Sequence, residues 1–249
     1  MITIIAGPCS AETREQTLST AKELSQAGIK IFRAGVWKPR TRPGGFEGAG
    51  IEALEWLQEA KETYDLRIAV ELNAPENVEH LLAHKIDTVW IGARTTVSPF
   101  AMDELGSALS ATDLEVYVKN PICPDLDLWI GAIERLRQAG VKNVKAIHRG
   151  FMTHYTDIYR NEPVWSIAQG LKRQMPNLQV LCDPSHIAGK WEYVQQLCYM
   201  ALQLGFDGLF VESHISPYDA WTDSRQQLST QQMGELLADL RQNLPYQFL

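Results

Sequence analysis

The chain has 249 residues, of which 45% are hydrophobic and 21% charged. Those fractions exclude a disordered, collagenous or coiled-coil chain, and the length suits a single α/β barrel of ~250 residues. Asp plus Glu number 30 against 23 Lys plus Arg, a net charge of −7. That balance argues against nucleic acid or an anionic membrane as the main partner, but permits a small anionic substrate held by a local basic cluster.

Short apolar, β-branched runs recur along the chain and predict eight strands: 2–6, 29–33, 67–72, 88–91, 116–119, 144–148, 179–182 and 208–212. Between them, helical periodicity marks 14–26, 51–64, 125–139, 191–204 and 229–243. Gly28, Gly140 and Gly205 each follow an apolar stripe and stop a helix, while Pro75 and Pro163 stand early in helical turns. Strands apolar throughout belong to a parallel sheet buried on both faces. Eight βα units predict a single (β/α)8 TIM barrel over 1–249, with no room for an extra regulatory domain. A doubly wound open sheet is the runner-up, weakened because no strand is followed by G-x-G-x-x-G.

The opening MITIIAGPCS lacks a basic region and reads as a strand, not a signal peptide. No apolar run approaches the ~20 residues of a membrane span. Cys9, Cys123, Cys182 and Cys198 form no C-x-x-C pair, which favours a reduced, cytoplasmic setting.

Polar residues gather at the C-terminal ends of the expected strands, which in a barrel converge on one mouth. One group is basic: Arg33, Lys38, Arg40, Arg94, Lys119 and Arg149. So many cations at one cavity of an acidic protein point to phosphate or carboxylate binding. The other group is Cys9, His186 and Glu212, with Asp223 or Asp219 from the loop after the last strand. Thiolate, imidazole and carboxylate together suit a divalent transition metal. His214 and His148 stand as alternative ligands, and Glu212 as an alternative ion-pair partner of the cations. A depressed-pKa Lys119 would also suit a Schiff-base aldolase, although its cationic surroundings favour anion binding.

The motifs AGPCSAE at 6–12, FRAGVWKPRTRPGGFEG at 32–48, IGART at 91–95, VKNP at 118–121, HRG at 148–150, CDPSH at 182–186 and VESH at 211–214 run through most of the chain. Together they resemble the 3-deoxy-D-arabino-heptulosonate 7-phosphate (DAHP) synthases, most of all the short bacterial type I-beta branch. The resemblance implies a cytoplasmic, metal-dependent transferase opening the shikimate pathway of aromatic amino acid biosynthesis. It would condense phosphoenolpyruvate with erythrose 4-phosphate and water. It implies Cys9, His186, Glu212 and Asp223 as ligands of one divalent ion (Mn, Co, Fe or Zn). Arg33, Lys38, Arg94, Lys119 and Arg149 would contact phosphoenolpyruvate, and Arg40 and Thr41 the aldose phosphate. The related 3-deoxy-D-manno-octulosonate 8-phosphate synthases typically carry K-A-N where this chain has Lys38-Pro39-Arg40-Thr41, so the motif favours erythrose 4-phosphate.

Lys38 or His148 is expected to relay a proton, with metal-bound water as an equal candidate. A homo-oligomer, dimer or tetramer, is expected. Some members of the family carry an N-terminal regulatory segment or a fused chorismate mutase domain, leaving open a standalone enzyme or one domain of a fusion. The expectation for this chain alone is insensitivity to phenylalanine, tyrosine and tryptophan, because the barrel uses the available length.

Overall fold

The computed structural model describes residues 2–38, 44–154 and 158–244. Eight parallel strands pair in sequence order: β1 (Thr3–Gly7), β2 (Ile31–Ala34), β3 (Arg67–Leu72), β4 (Thr88–Ile91), β5 (Glu115–Lys119), β6 (Val144–His148), β7 (Val180–Cys182) and β8 (Gly208–His214). β1 also pairs with β8, from Thr3 opposite Gly208 to Gly7 opposite Glu212, and this closes the sheet into a barrel. A two-residue strand, β9 (Leu228–Ser229), extends the outer end of β8. The expected (β/α)8 architecture is therefore the observed one.

The crossovers are helical. They are α1 (Arg14–Gln26), α2 (Ile51–Tyr64), α3 (Val78–Ala83), α4 (Ala93–Thr96), α5 (Pro99–Leu109), α6 (Leu126–Gln138), α7 (Trp165–Gln174), α8 (Pro184–Ala188), α9 (Val194–Gln203) and α10 (Thr230–Asn243). Local chemistry starts several of them. Thr13, Ser98 and Asp125 accept from backbone amides as N-caps, and Ser229 with Gln232 forms a capping box on α10. In α6, Trp129, Ala132, Ile133 and Leu136 recur at helical spacing and are the residues buried against the sheet. Among the described residues no helix is long and apolar enough to cross a membrane.

Alternation along the strands sorts the barrel interior into layers. The middle is apolar: Ile5, Ile31, Ala69, Trp90, Tyr117, Ile147, Leu181 and Phe210 form one buried cluster. Near the strand starts, Glu115 pairs with Arg67 at 2.8 Å and with Lys145. Two positions further along the strands from the apolar layer come Arg33, Glu71, Lys119, Arg149, Asp183 and Glu212. Burying about 25 cal/mol per Å² of apolar surface, the middle layer and the helix–sheet shell supply the stability against which this charged layer is held.

Candidate active site

Arg33 projects from β2 into the barrel and is 1% exposed. Its guanidinium carbon lies 4.7 Å from the ring centres of both Trp90 and Phe210. The apolar layer is thus a floor that carries the cation by its quadrupoles. Arg33 Nη2 donates to the Cys9 carbonyl at 3.2 Å and stands 3.4 Å from Glu212 Oε1. Its Nε and Nη1 are buried without a hydrogen-bond partner.

Across the mouth, Lys119 donates to Asp183 at 2.8 Å, and the same carboxylate oxygen lies 2.8 Å from His186 Nδ1. Asp183 caps α8 by accepting from the His186 amide at 2.9 Å, which turns His186 toward the mouth. Burial alone would raise the Asp183 carboxyl, but the His186 ring and the Lys119 ammonium hold it well below the usual carboxylate range. Burial, against the pull of Asp183, lowers Lys119 and His186 from their ordinary values.

Arg149 follows β6 on the inward alternation and is fixed at both ends. Its amide donates to Asn120 at 2.6 Å, and Nη1 donates to Asn161 at 2.8 Å. Gly150 makes the turn that follows, at φ +76°, and a Cβ there would meet Asn161 at 2.9 Å. Burial first, then the neighbouring Arg160 and Arg94 charges against the pull of Asp183, lower the Arg149 guanidinium to about 10. It remains charged at neutral pH, and the crowding of cations favours an anion between them.

Cys9 follows β1 and is fully buried. Gly7 permits the approach, since a Cβ there would fall 2.1 Å from the Arg33 carbonyl. Cys9 Sγ lies 3.1 Å from Lys38 Nζ and 3.4 Å from Asp223 Oδ2. One donor atom each from Cys9, Glu212 and Asp223 lies within 4.8 Å of the other two. His186 Nε2 is 3.8 Å from Glu212 Oε1, an oxygen buried without a hydrogen-bond partner. A soft thiol and two carboxylates, one with an orphaned oxygen, with the His186 imidazole just outside the group, fit a divalent transition metal. Without one, burial and Glu212 push the Cys9 thiol up to about 12, despite the opposing Lys38 charge. Burial works against the Lys38 ammonium too, but Cys9 and Glu71 more than offset it and its pKa is raised.

Two features of this site have little signature in sequence. Arg160 reaches in from the β6–α7 connection to bind Asp223 at 3.0 Å and Gln226 at 2.8 Å. Gln226 in turn donates to Glu212 Oε2 at 2.6 Å. Neither residue stands at a strand end, the signal that located the others.

His148 is the main correction. As the last residue of β6 it falls on the outward alternation, one step after inward Ile147. Its ring packs among Trp129, Phe151, Trp165 and Phe206, with centroids 6.3, 5.6, 5.2 and 5.8 Å away. Burial there pushes its pKa down to about 3. It faces the helix layer, and the structure does not bring it to the Cys9 cluster or to the inward cations. His214 lies beside Glu12, at 3.8 Å, and Asp219 accepts from Ser216, so neither alternative ligand joins the Cys9 cluster. Arg94 sits in α4 at the mouth, close enough to Arg149 for their charges to interact. Arg40 and Thr41 lie outside the described residues.

Fold and site together define a (β/α)8 barrel whose mouth gathers several cations beside a cluster of groups that could hold a metal. The chain matches the DAHP synthetase I family over residues 1–244 and belongs to it. It is 32% identical over 239 residues to the phospho-2-dehydro-3-deoxyheptonate aldolase of Thermotoga maritima, covering 96% of this chain and 69% of the relative. The 2-dehydro-3-deoxyphosphooctonate aldolase of Brucella ovis is more distant, at 25% over 260 residues, covering 96% and 89%. A crystal structure of the Thermotoga maritima DAHP synthase superposes with a TM-score of 0.88 at 31% identity, over 97% of this chain and 68% of that one. A truncated form of the 3-deoxy-D-arabino-heptulosonate 7-phosphate synthase from the same organism gives 0.84 at 28%, over 97% and 86%.

Proposed function

We propose that this chain, as a barrel catalytic domain, condenses phosphoenolpyruvate with erythrose 4-phosphate and water to give 3-deoxy-D-arabino-heptulosonate 7-phosphate and inorganic phosphate. This is the first step of the shikimate pathway. The observation that carries the reading at the site is the inward layer of Arg33, Lys119 and Arg149 beside the Cys9–Glu212–Asp223 cluster. Family membership supports it from outside the site.

The reaction forms a bond between C3 of phosphoenolpyruvate and the aldehyde carbon. The aldehyde oxygen takes a proton, water adds at C2, and phosphate leaves with the former enol oxygen. Both substrates are multiply anionic, so their mutual repulsion must be cancelled by fixed cations. Arg33 presents two unpartnered nitrogens over its aromatic floor, and Arg149 and Lys119 are held by Asn161 and Asp183. These three, with Arg94, bind phosphoenolpyruvate. Lys38, charged and 3.1 Å from Cys9 Sγ, stands where the anion pocket meets the cluster. It binds and gives up a proton to the aldehyde oxygen. The Lys38-Pro39-Arg40-Thr41 motif supports erythrose 4-phosphate as the acceptor, with Arg40 and Thr41 on its phosphate.

Cys9, His186, Glu212 and Asp223 would hold one divalent ion, Mn, Co, Fe or Zn, which when bound supplies Lewis-acid polarisation of the aldehyde. The Asp183 carboxylate lies 2.8 Å from His186 Nδ1, and His186 Nε2, 3.8 Å from Glu212 Oε1, would face the ion. Arg160 and Gln226 hold Asp223 and Glu212 in place.

The experiment is consumption of phosphoenolpyruvate with erythrose 4-phosphate or arabinose 5-phosphate, with and without chelator. Turnover with erythrose 4-phosphate, lost on chelation, is the expected result. Turnover with arabinose 5-phosphate alone would overturn the substrate assignment.

A further inference from the structure

We infer that Glu12, a residue outside the anion pocket and the metal cluster, is the positioning residue that sets Asp223 opposite Cys9. This deepens the metal reading above and rests on it. Asp223 lies in the connection between β8 and β9, directly before a single 3-10 turn over Ser224–Gln226, and no α-helix or long strand fixes it. Its backbone is left-handed, at φ 46° and ψ 34°. Asp is among the few L-residues that visit that conformation, still at some cost, and here its surroundings hold it there.

The surroundings that hold it are polar. Glu12 is 5% exposed. Its Oε1 accepts from the Trp221 amide at 2.9 Å, the Thr222 amide at 3.1 Å and the Thr222 hydroxyl at 3.2 Å. The three donors belong to the two residues directly before Asp223. The Thr222 hydroxyl also meets the Ser10 hydroxyl at 2.9 Å. Gln227 closes the other side: its Oε1 accepts from the Cys9 amide at 3.0 Å, and its Nε2 donates to the Thr222 carbonyl at 2.9 Å. The turn that carries Cys9 and the turn that carries Asp223 are thus joined by six side-chain bonds of Glu12, Ser10 and Gln227, besides the weak contact between the two ligands themselves.

Glu12 itself has a fixed base. Ala11 donates to the Gly35 carbonyl at 3.0 Å, and Gly35 to the Cys9 carbonyl at 3.1 Å, so residues 9–12 run beside the end of β2. On its other side, His214 Nε2 stands 3.8 Å from Glu12 Oε2. His214 Nδ1 accepts from the Ser216 amide at 2.9 Å, which puts the neutral ring's proton on Nε2, facing that oxygen. Three donations to one oxygen of a buried carboxylate, none of them from a metal ligand, are the mark of a group that holds backbone.

The test uses Co(II) as probe and reads its binding by calorimetry and by the thiolate-to-cobalt absorption band, independent of turnover. Glu12→Ala should weaken Co(II) binding by about tenfold or more, as removal of a supporting partner does at other metal sites. Glu12→Gln keeps an oxygen for the three donors and should restore affinity to within a few-fold. Equal Co(II) affinity in Glu12→Ala and the unaltered protein would overturn the inference. So would a Glu12→Gln protein as weak as Glu12→Ala, which would make the charge, not the acceptor, the active feature. Hydrogen exchange at the Trp221 and Thr222 amides reads the clamp without any metal, and should accelerate in Glu12→Ala; unchanged exchange there also overturns it. If the unaltered protein bound no Co(II), the metal reading would fail, while exchange would still decide the clamp. Should Glu12→Ala not fold, Thr222→Val keeps both amide donors and removes only the hydroxyl bridge. It should give a smaller loss of affinity, and no change in either affinity or exchange would count against the inference.

Discussion

Arg33 and Glu212, on the two strands that flank β1, approach to 3.4 Å inside the barrel, with side chains 1% and 0% exposed. A buried ion pair this incomplete is a poor stabilising device, because each charge loses its hydration. Arg33 keeps two unpartnered nitrogens and Glu212 one unpartnered oxygen. The pair makes sense as the seam between two ligands, with an anion completing the arginine and a cation the carboxylate.

Arg33→Lys is therefore expected to cost more than its charge-conserving character suggests. A lysine cannot lie flat between Trp90 and Phe210 and offer two donors at once. The loss in kcat/KM for phosphoenolpyruvate should be about 2–4 kcal/mol, the range for leaving a buried charged partner unmatched. Steady-state kinetics check it, and a loss below ~1 kcal/mol would make Arg33 a structural cation.

Cys9→Ala should leave the fold near intact. The thiol is a small buried group, so the cavity cost is on the order of 1–2 kcal/mol. Bound divalent metal after dialysis should nevertheless drop to the level of a chelator-treated sample. Elemental analysis and a thermal melt together check this. Full metal content in the variant would remove Cys9 from the ligand set.

Lys38→Met is expected to reduce kcat by about 10² or more, because it removes both a cation and the proton donor. Its position 3.1 Å from Cys9 Sγ predicts a second effect. Loss of the neighbouring ammonium removes a repulsive charge from the metal cluster, so Mn(II) or Co(II) affinity should hold or rise. Calorimetry separates the two. A parallel loss of turnover and of metal would mean that Lys38 acts by holding the cluster together.

The barrel was legible because its signals are repetitive. Apolar strands end in polar residues at a regular spacing: Thr88–Ile91 has the same bounds in sequence and in space, and the strand expected over 116–119 begins one residue earlier, at Glu115. Helix α5 escaped because its start, Ser98-Pro99, follows directly on the short α4, so that two helices share one crossover. Strand-end position found Arg33, Lys119, Arg149 and Glu212, but it could not say which way a terminal residue points. Ile147, His148 and Arg149 are consecutive, and pleat alone sends the outer two inward and His148 outward. Arg160, Gln226 and Glu12 act through bonds to loops more than 60 residues away or to turns with no periodic pattern, and no local rule marks them.

His148 gives a prediction about acid stability. Its ring is enclosed by Trp129, Phe151, Trp165 and Phe206, and burial outweighs a hydrogen bond with the Pro163 backbone and, with a smaller push from Arg149 against Asp183, holds its pKa down at about 3. In the unfolded chain the ring titrates near ~6.5. Between those values the unfolded state binds the extra proton, so stability falls as pH is lowered from about 6.5 toward about 3 and is fully present above that window. The loss from this one group should reach a few kcal/mol at the acid end. His148→Leu removes the titration while keeping an apolar ring of neighbours filled. Its urea midpoint should therefore vary less with pH than that of the unaltered protein from pH ~6.5 downward, whatever its value at pH ~8. Because the ring faces the helix layer, the same variant should retain most of its turnover at neutral pH. An unchanged pH slope would mean that His148 is not buried as a neutral ring. A fall in kcat of about 10² with bound metal and thermal stability intact would return it to the reaction as the proton relay.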